Sequence, residues 1–88
     1  MNFSDLNFQP YSVAGGRWTK HFFDNGYGIS VVRFPGSYGF RDGLYESAVL
    51  KGTEEDWEIC YDTWITNDVL GYQSEEEVEV LLHDVENL

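Results

Sequence analysis

Residues 74–88 read SEEEVEVLLHDVENL, and this stretch predicts an amphipathic helix with a defined start. Ser74 followed by Glu77 is a capping box, in which each side chain accepts a hydrogen bond from the other residue's backbone amide. The apolar residues recur at spacings of three and four, which places them on one stripe of the helix. That stripe has to be buried, so the rest of the chain is expected to supply a sheet. The stripe consists of Val78, Leu81, Leu82, Val85 and Leu88, whereas Val80 points to the exposed side.

Three stretches upstream of the helix predict β-strands. RWTKHFF (17–23) and GISVVRF (28–34) are rich in aromatic and β-branched residues, which favour strands. The Asp-Asn-Gly sequence at 24–26 favours a hairpin turn between them, because Asn and Gly tolerate positive φ. LYESAVL (44–50) predicts a third strand after a glycine-rich loop. Short connections of this kind favour antiparallel neighbours.

A fourth strand is predicted for WEICY (57–61), where apolar residues alternate with others. The segment 62–73 is expected to be a connector with a helical turn around 67–70. Alternation divides the side chains of the strand between two faces. We expect Trp57, Ile59 and Tyr61 to face the core, and Glu58 and Asp62 to face solvent.

These elements predict an α+β fold, a four-stranded antiparallel meander sheet with the C-terminal helix packed on one face. The 88 residues suffice for one domain, 1–88, and not for two independent cores. Residues 1–16 are expected to form an irregular arm, followed by the sheet at 17–61 and the helix at 74–88. The arm can lay its apolar side chains, Phe3, Leu6 and Phe8, onto the core.

The charge of the chain is strongly asymmetric. The net charge is −11, and residues 52–88 contain twelve of the 16 acidic residues with no Lys or Arg. A protein with this charge is repelled by nucleic acid and by anionic membranes, so we expect neither as a direct partner. Basic protein surfaces are the expected partners. The candidate partner-binding residues are Glu54, Glu55, Asp56, Glu58, Asp62, Asp68, Glu75, Glu76 and Glu79.

Two interpretations of these carboxylates stay open. Charge runs are usually solvated faces that keep a protein soluble, but solubility needs a net charge of only ~2–8 with mixed signs. Like charges on one face also cost folding free energy, which suggests that the acidic surface has a function. Alternate strand residues lie ~6.6 Å apart, close to the phosphate spacing along a nucleic-acid strand. On the second interpretation, the carboxylates gather into one negative surface that imitates a nucleic-acid backbone.

No residue set predicts a cofactor, a metal site or an enzyme. The possible soft ligands, His21, His83 and Cys60, are far apart in sequence and lack zinc-ligand spacing. Residues 54–56 lack the calcium-binding pattern of an EF-hand. A catalytic Cys60–His83 pair is conceivable because such partners meet only in space, but a strand cysteine is more often a small buried residue. We expect a protein without enzymatic activity.

The expected compartment is the host cytoplasm. A single cysteine cannot form an intrachain disulfide, which suits a reducing compartment. The N-terminal sequence MNFSDLNFQPY lacks the basic region and apolar core of a signal peptide. No apolar run approaches the ~18–20 residues that span a bilayer.

Three stretches resemble a widespread group of small tailed-phage proteins. They are NGYGISVVR (25–33), SYGFRDGLYESAVLKG (37–52) and WEICYDTWITNDVLGYQSEEEVEVLL (57–82). This resemblance implies no activity. Members of the group often read CYDTPIT where this chain has Trp64 at the proline position. The small size and acidity are also similar in style to anti-CRISPR proteins and other phage-encoded DNA mimics, and that resemblance transfers no residues.

The second resemblance implies an inhibitor that occupies the nucleic-acid site of a host defence complex. We therefore expect a phage-encoded, anti-CRISPR-like protein, a monomer or a homodimer, that occludes a basic site with its acidic surface. Exposed aromatic residues such as Trp64 or Tyr72 are candidates for desolvated anchors. The alternative is a small phage accessory or structural interaction protein whose acidity is incidental.

Overall fold

Six strands and one α-helix make up the fold in the computed structural model, which describes residues 1–12 and 15–88. Val13 and Ala14, in the predicted arm, lie outside the described residues. Two short 3-10 turns, at Phe3–Asp5 and Phe40–Asp42, lie between the regular elements. The strands are β1 (Gln9–Pro10), β2 (Arg17–Phe22), β3 (Tyr27–Arg33), β4 (Tyr45–Thr53), β5 (Asp56–Ile59) and β6 (Leu70–Gln73), and the helix is α1 (Glu75–Glu86).

The strands form one antiparallel sheet in which β1 to β5 follow meander order and β6 also pairs with β4. The predicted α+β class, antiparallel sheet and C-terminal helix are confirmed, but the predicted number of four strands is wrong. The two strands that were not predicted are short: β1 has two residues and β6 has four. The two residues of β1 are too few for a periodic signal.

The helix begins as its sequence predicts. Ser74 Oγ accepts a hydrogen bond from the Glu77 amide at 3.1 Å, and Glu77 Oε1 accepts one from the Ser74 amide at 3.1 Å. Four stripe residues are buried, the last one, Leu88, is partly buried, and Val80 is exposed. The helix contacts β3 and β4. This contact forms the core of the protein. Its buried members are Leu6, Ile29, Val31, Tyr45, Val49, Cys60, Val78, Leu81, Leu82 and Val85.

The β2–β3 hairpin turns at residues 24–26, as predicted, and it also holds the end of the helix. Gly26 adopts φ +86°, the left-handed conformation that the turn requires. Asn25 Nδ2 donates hydrogen bonds to the carbonyls of Val85 at 2.9 Å and Glu86 at 3.1 Å. The last carbonyls of a helix have no partner within the helix, so this side chain satisfies them. Both ends of α1 are therefore fixed by specific side chains.

The N-terminal arm packs on the core, as expected, but it is not wholly irregular. Leu6 is buried, and Phe3 and Phe8 pack against the core cluster. The Phe3 amide donates a hydrogen bond to Glu79 Oε1 at 2.7 Å, which ties the arm to the helix. The described part of the arm also contributes a 3-10 turn and the short strand β1.

The predicted facing of the fourth strand is wrong. Trp57 and Ile59 are 40% and 39% exposed, Tyr61 is exposed as well, and Cys60 is buried. The alternation itself holds, but Ile59 pairs with Leu50, which lies on the face of β4 opposite to Val49 and the helix. The aromatic face of β5 thus points away from α1, and only part of that face is covered.

The connector before the helix also differs from the prediction. No helical turn occurs around residues 67–70; instead Leu70 begins β6. The Asp68 amide donates to Thr66 Oγ1 at 3.1 Å, which makes a side-chain-supported turn. None of the helices in the described residues has the length and apolarity that crossing a membrane requires.

Candidate functional site

The candidate carboxylates follow one edge of β4. β3 pairs along one edge of this strand, so β5 and β6, which also pair with it, both lie along the other edge. Register places Asp56 opposite Thr53 at one end and Gln73 opposite Tyr45 at the other. The chain from Glu54 to Glu79 thus runs along this edge from the β4–β5 turn to the start of α1. We call its nine candidate carboxylates the acidic margin.

Four of these carboxylates lie on the β4–β5 hairpin. Gly52, at φ +126°, permits its tight geometry, because a Cβ there would lie 2.2 Å from the Asp56 carbonyl oxygen. The hairpin carboxylates are exposed, and their side chains have no hydrogen-bond or ion-pair partner within residues 1–12 and 15–88. They are therefore free to meet a ligand. They are Glu54, Glu55, Asp56 and Glu58.

Two carboxylates lie in the segment between β5 and β6, and both also serve the local structure. Asp62 Oδ1 accepts a hydrogen bond from the Cys60 thiol at 2.9 Å, which lowers the pKa of Asp62. Asp68 Oδ1 accepts one from the Val69 amide at 2.7 Å. Both side chains remain exposed at the surface.

Three carboxylates lie at the start of the helix. Glu75 and Glu76 are exposed in the first turn, where the positive end of the helix dipole favours them, and they have no partner among the described residues. Glu79 is half-buried and accepts the hydrogen bond from the Phe3 amide. Glu79 is therefore part of the scaffold as well as of the margin.

The carboxylates of the margin are spread along the edge of the sheet and do not form one compact cluster. The hairpin group and the helix group lie at opposite ends of β4, whose nine residues span about 26 Å. Asp62 and Asp68 lie between the two groups. A ligand has to be extended along the edge of the sheet if it is to contact both groups.

The basic residues of the first half do not neutralise the margin through ion pairs. Arg17 stacks over Phe8, with 4.6 Å to the ring centroid, and Lys20 Nζ lies 4.5 Å from Trp18 and 5.0 Å from Trp57. Arg33 likewise lies over Phe40. Within the described residues, the only ion pair joins the Met1 ammonium group to Glu86 at 3.9 Å. These three cations thus contact aromatic rings. Lys51 lies opposite Glu58 in the β4–β5 register, and its charge adds to the lowering of the pKa of Asp62. One adjacent cation does not balance nine carboxylates, so the margin stays negative.

Exposed aromatic residues accompany the margin. Trp64, 72% exposed, and Tyr61 lie in the segment between β5 and β6, and Tyr72 is exposed on β6. Tyr72 has φ +55°, and its amide donates to the carbonyl of Tyr38, which is also exposed. Trp64 and Tyr72 were predicted as candidate anchors, but Tyr38, Trp57 and Tyr61 were not. The sequence carries no signal for their exposure, since aromatic residues in a small domain are usually buried.

The only cysteine is not arranged for catalysis with histidine. Cys60 is buried, and its thiol donates a hydrogen bond to Asp62, whereas His83 is exposed on the helix. Burial first, and then the hydrogen bond to Asp62, raise the pKa of the Cys60 thiol. A thiol with a raised pKa is a poor nucleophile. In the described ranges, no three His, Cys, Asp or Glu residues are placed to hold a metal ion.

Comparisons with protein families, curated proteins and solved structures found no match to this chain.

Proposed function

We propose that this protein is a phage-encoded inhibitor that binds the basic nucleic-acid-binding surface of a host defence complex through the acidic margin. It would act as anti-CRISPR-like proteins do, by occupying the site so that nucleic acid cannot enter. One observation carries this proposal. Six margin carboxylates are exposed and have no partner within the described residues, although the chain contains five Lys and Arg residues.

The density of charge along the margin supports a nucleic-acid mimic. Eight carboxylates, from Glu54 to Glu76, accompany β4, which is about 26 Å long. One strand of duplex DNA carries one charge per ~3.4 Å, or about eight over the same length. The total charge is therefore similar, although the carboxylates are grouped, with four at the hairpin end, two at the helix end and two between them. Arg–carboxylate pairs also gain from bidentate geometry.

The aromatic residues beside the margin supply apolar contact area, which the carboxylates do not. Interface energy is concentrated in a few desolvated anchors, often Trp, Tyr or Arg. Trp64 and Tyr61 flank Asp62, so an anchor of this type would lie within the row of charges. Charge would then guide association, and the anchors would slow dissociation.

The test compares two double variants with the same change in charge. Glu58→Lys with Glu76→Lys reverses one free carboxylate at each end of the margin. Asp24→Lys with Asp42→Lys reverses two exposed turn carboxylates outside it. Each protein is used to capture targets from host lysate at about 50 and 300 mM salt, where a ligand with several charge contacts loses affinity steeply.

The proposal expects the wild type and the control variant to capture a nucleic-acid-binding complex at low salt, and the margin variant to lose it. Equal capture by both variants, or capture that does not change with salt, would contradict an electrostatic role for the margin.

The exposed aromatic residues favour a second candidate, a small phage accessory or structural interaction protein with incidental acidity. In that case Trp64→Ala would abolish partner binding, and the Glu58→Lys/Glu76→Lys variant would bind as the wild type does. The same capture experiment therefore separates the two functions.

A further inference from the structure

We propose that β5 is a docking edge, and that the partner adds an extended basic segment to it as a further antiparallel strand. This proposal rests on the proposed function for its partner, a basic protein, but it adds a mode of binding that charge attraction does not require. Strand addition uses main-chain hydrogen bonds for affinity and alternate side chains for specificity. Three features of β5 favour strand addition: its unpaired backbone edge, the alternation of its side chains and the charges beside it.

The backbone of β5 offers unpaired groups along its outer edge. β5 ends the meander order and pairs only with β4 among the described residues. The Cys60 amide donates to the Val49 carbonyl at 2.8 Å, which fixes the hydrogen-bonding phase of the ladder. Hydrogen-bonded pairs alternate with non-bonded pairs along an antiparallel ladder. Because Cys60 is hydrogen-bonded to β4, every second residue before it, Glu58 and then Asp56, is hydrogen-bonded to β4 as well. The amides and carbonyls of Trp57 and Ile59 therefore point outward.

The side chains of β5 define what an added strand has to carry. Trp57 and Ile59 lie on one face and are partly exposed, while Asp56 and Glu58 lie on the other face. Cross-strand neighbours interact most strongly when they are apolar pairs or opposite charges. The matching segment therefore alternates apolar residues with Lys or Arg. Lys51 lies opposite Glu58, and Lys20 lies over the Trp57 ring, but the carboxylates of the β4–β5 hairpin outnumber these two cations. The edge therefore favours a basic strand over an acidic one.

Charge also excludes a second copy of this chain as the occupant. Two β5 strands that pair about a two-fold axis through Glu58 would place the two Glu58 side chains opposite each other. The same register would set Glu54 opposite Asp62 of the second copy, and like charges directly opposite are destabilising. Natural edge strands often use charge to prevent self-pairing. Here the charge keeps the edge available for a basic partner.

The test uses two synthetic eight-residue peptides of alternating Lys and Val with a fluorescent label. The second peptide is N-methylated on alternate residues, so that it keeps the charge but cannot donate hydrogen bonds along one edge. Binding is measured by fluorescence anisotropy, and amide hydrogen exchange is followed at Trp57 and Ile59. A matched variant is Ile59→Pro, because the lost amide points away from β4 and proline is tolerated on such edges. Thermal unfolding checks that this variant folds.

Strand addition predicts that N-methylation weakens binding at least tenfold, that Ile59→Pro does the same, and that the parent peptide slows exchange at Trp57 and Ile59 at least tenfold. Equal binding of the two peptides to the wild type would overturn strand addition and leave an electrostatic margin intact. Failure of the wild type to bind the parent peptide at 1 mM (roughly −4 kcal/mol) would also overturn it. The proposed function would then be decided separately, by the charge-reversal variants and the captured complex.

Discussion

Replacing Glu79 with alanine should destabilise the protein far more than replacing a free margin carboxylate. Glu79 Oε1 accepts the Phe3 amide at 2.7 Å in a partly buried contact. Hydrogen bonds to charged groups contribute roughly 1.5–3 kcal/mol, so about 2 kcal/mol should be lost. For a domain of this size, that corresponds to a decrease in Tm of roughly 8–16 °C. The ring of Phe3, which packs on Tyr45 with centroids 5.2 Å apart, should also become more mobile, because the hydrogen bond that fixes its backbone is lost.

The assay is thermal unfolding followed by near-ultraviolet circular dichroism, which reports the packing of aromatic side chains. Glu79→Gln keeps a neutral acceptor, and neutral hydrogen bonds contribute only ~0.5–1.5 kcal/mol, so its Tm should lie between those of the wild type and Glu79→Ala. Glu55→Ala is the matched control, because Glu55 is exposed and has no partner among the described residues. Surface changes of that kind are usually within about 0.5 kcal/mol.

Equal Tm values for Glu79→Ala and Glu55→Ala would refute the assignment of Glu79 to the scaffold. The distinction matters for binding experiments. Loss of binding after a change at Glu79 reports loosening of the arm as well as loss of charge. Glu58 reports charge alone, whereas Glu76→Lys also opposes the helix dipole at the start of α1 by roughly 0.3–1 kcal/mol, which thermal unfolding of the variant measures.

Three further predictions concern the scaffold. Leu82→Ala, at a side chain with 0% exposure, should cost ~2–5 kcal/mol in urea unfolding, and equal stability of Leu82→Ala and the exposed Val80→Ala would contradict the core assignment. Gly52→Ala should cost at least about 2 kcal/mol because of its backbone conformation and the Asp56 contact. Gly26→Ala, which meets no atom within 4 Å, should cost less, and the reverse order would contradict the hairpin geometry. The pKa of Cys60 is raised, so thiol labelling should stay slow through pH 8 and accelerate in Asp62→Asn; labelling of the folded wild type at the rate of a free cysteine would contradict this.

The helix and the first hairpin could be predicted because their signals are local. The Ser74–Glu77 capping box and the apolar stripe each depend on residues within a few turns of the chain. The turn at 24–26 depends on the conformations that Asn and Gly allow. Burial of the stripe and the antiparallel order of the sheet follow from these elements with little further information.

The facing of β5 could not be predicted because alternation does not say which face the helix covers. Trp57 and Ile59 follow the expected period of two, but register aligns Ile59 with Leu50, on the face away from α1. β6 was missed because its pairing depends on contact with β4 and on the positive φ of Tyr72. Neither feature can be read from four residues.

The placement of the acidic margin also depends on β6. A four-stranded meander leaves the connector and the helix start in no defined relation to β4. Once β6 pairs beside β5 on the same edge, the carboxylates from Glu54 to Glu76 follow that edge in order. Sequence alone could identify the acidic residues, but their arrangement along about 26 Å required the tertiary structure.

The most direct measurement is competition between this protein and nucleic acid for the captured complex. The purified complex is mixed with labelled duplex DNA or RNA and with this protein, and the masses of the products are determined by light scattering after size exclusion. Occlusion by the acidic margin predicts that bound protein excludes nucleic acid, and that the Glu58→Lys/Glu76→Lys variant does not. A stable assembly that contains the complex, the nucleic acid and this protein together would contradict it.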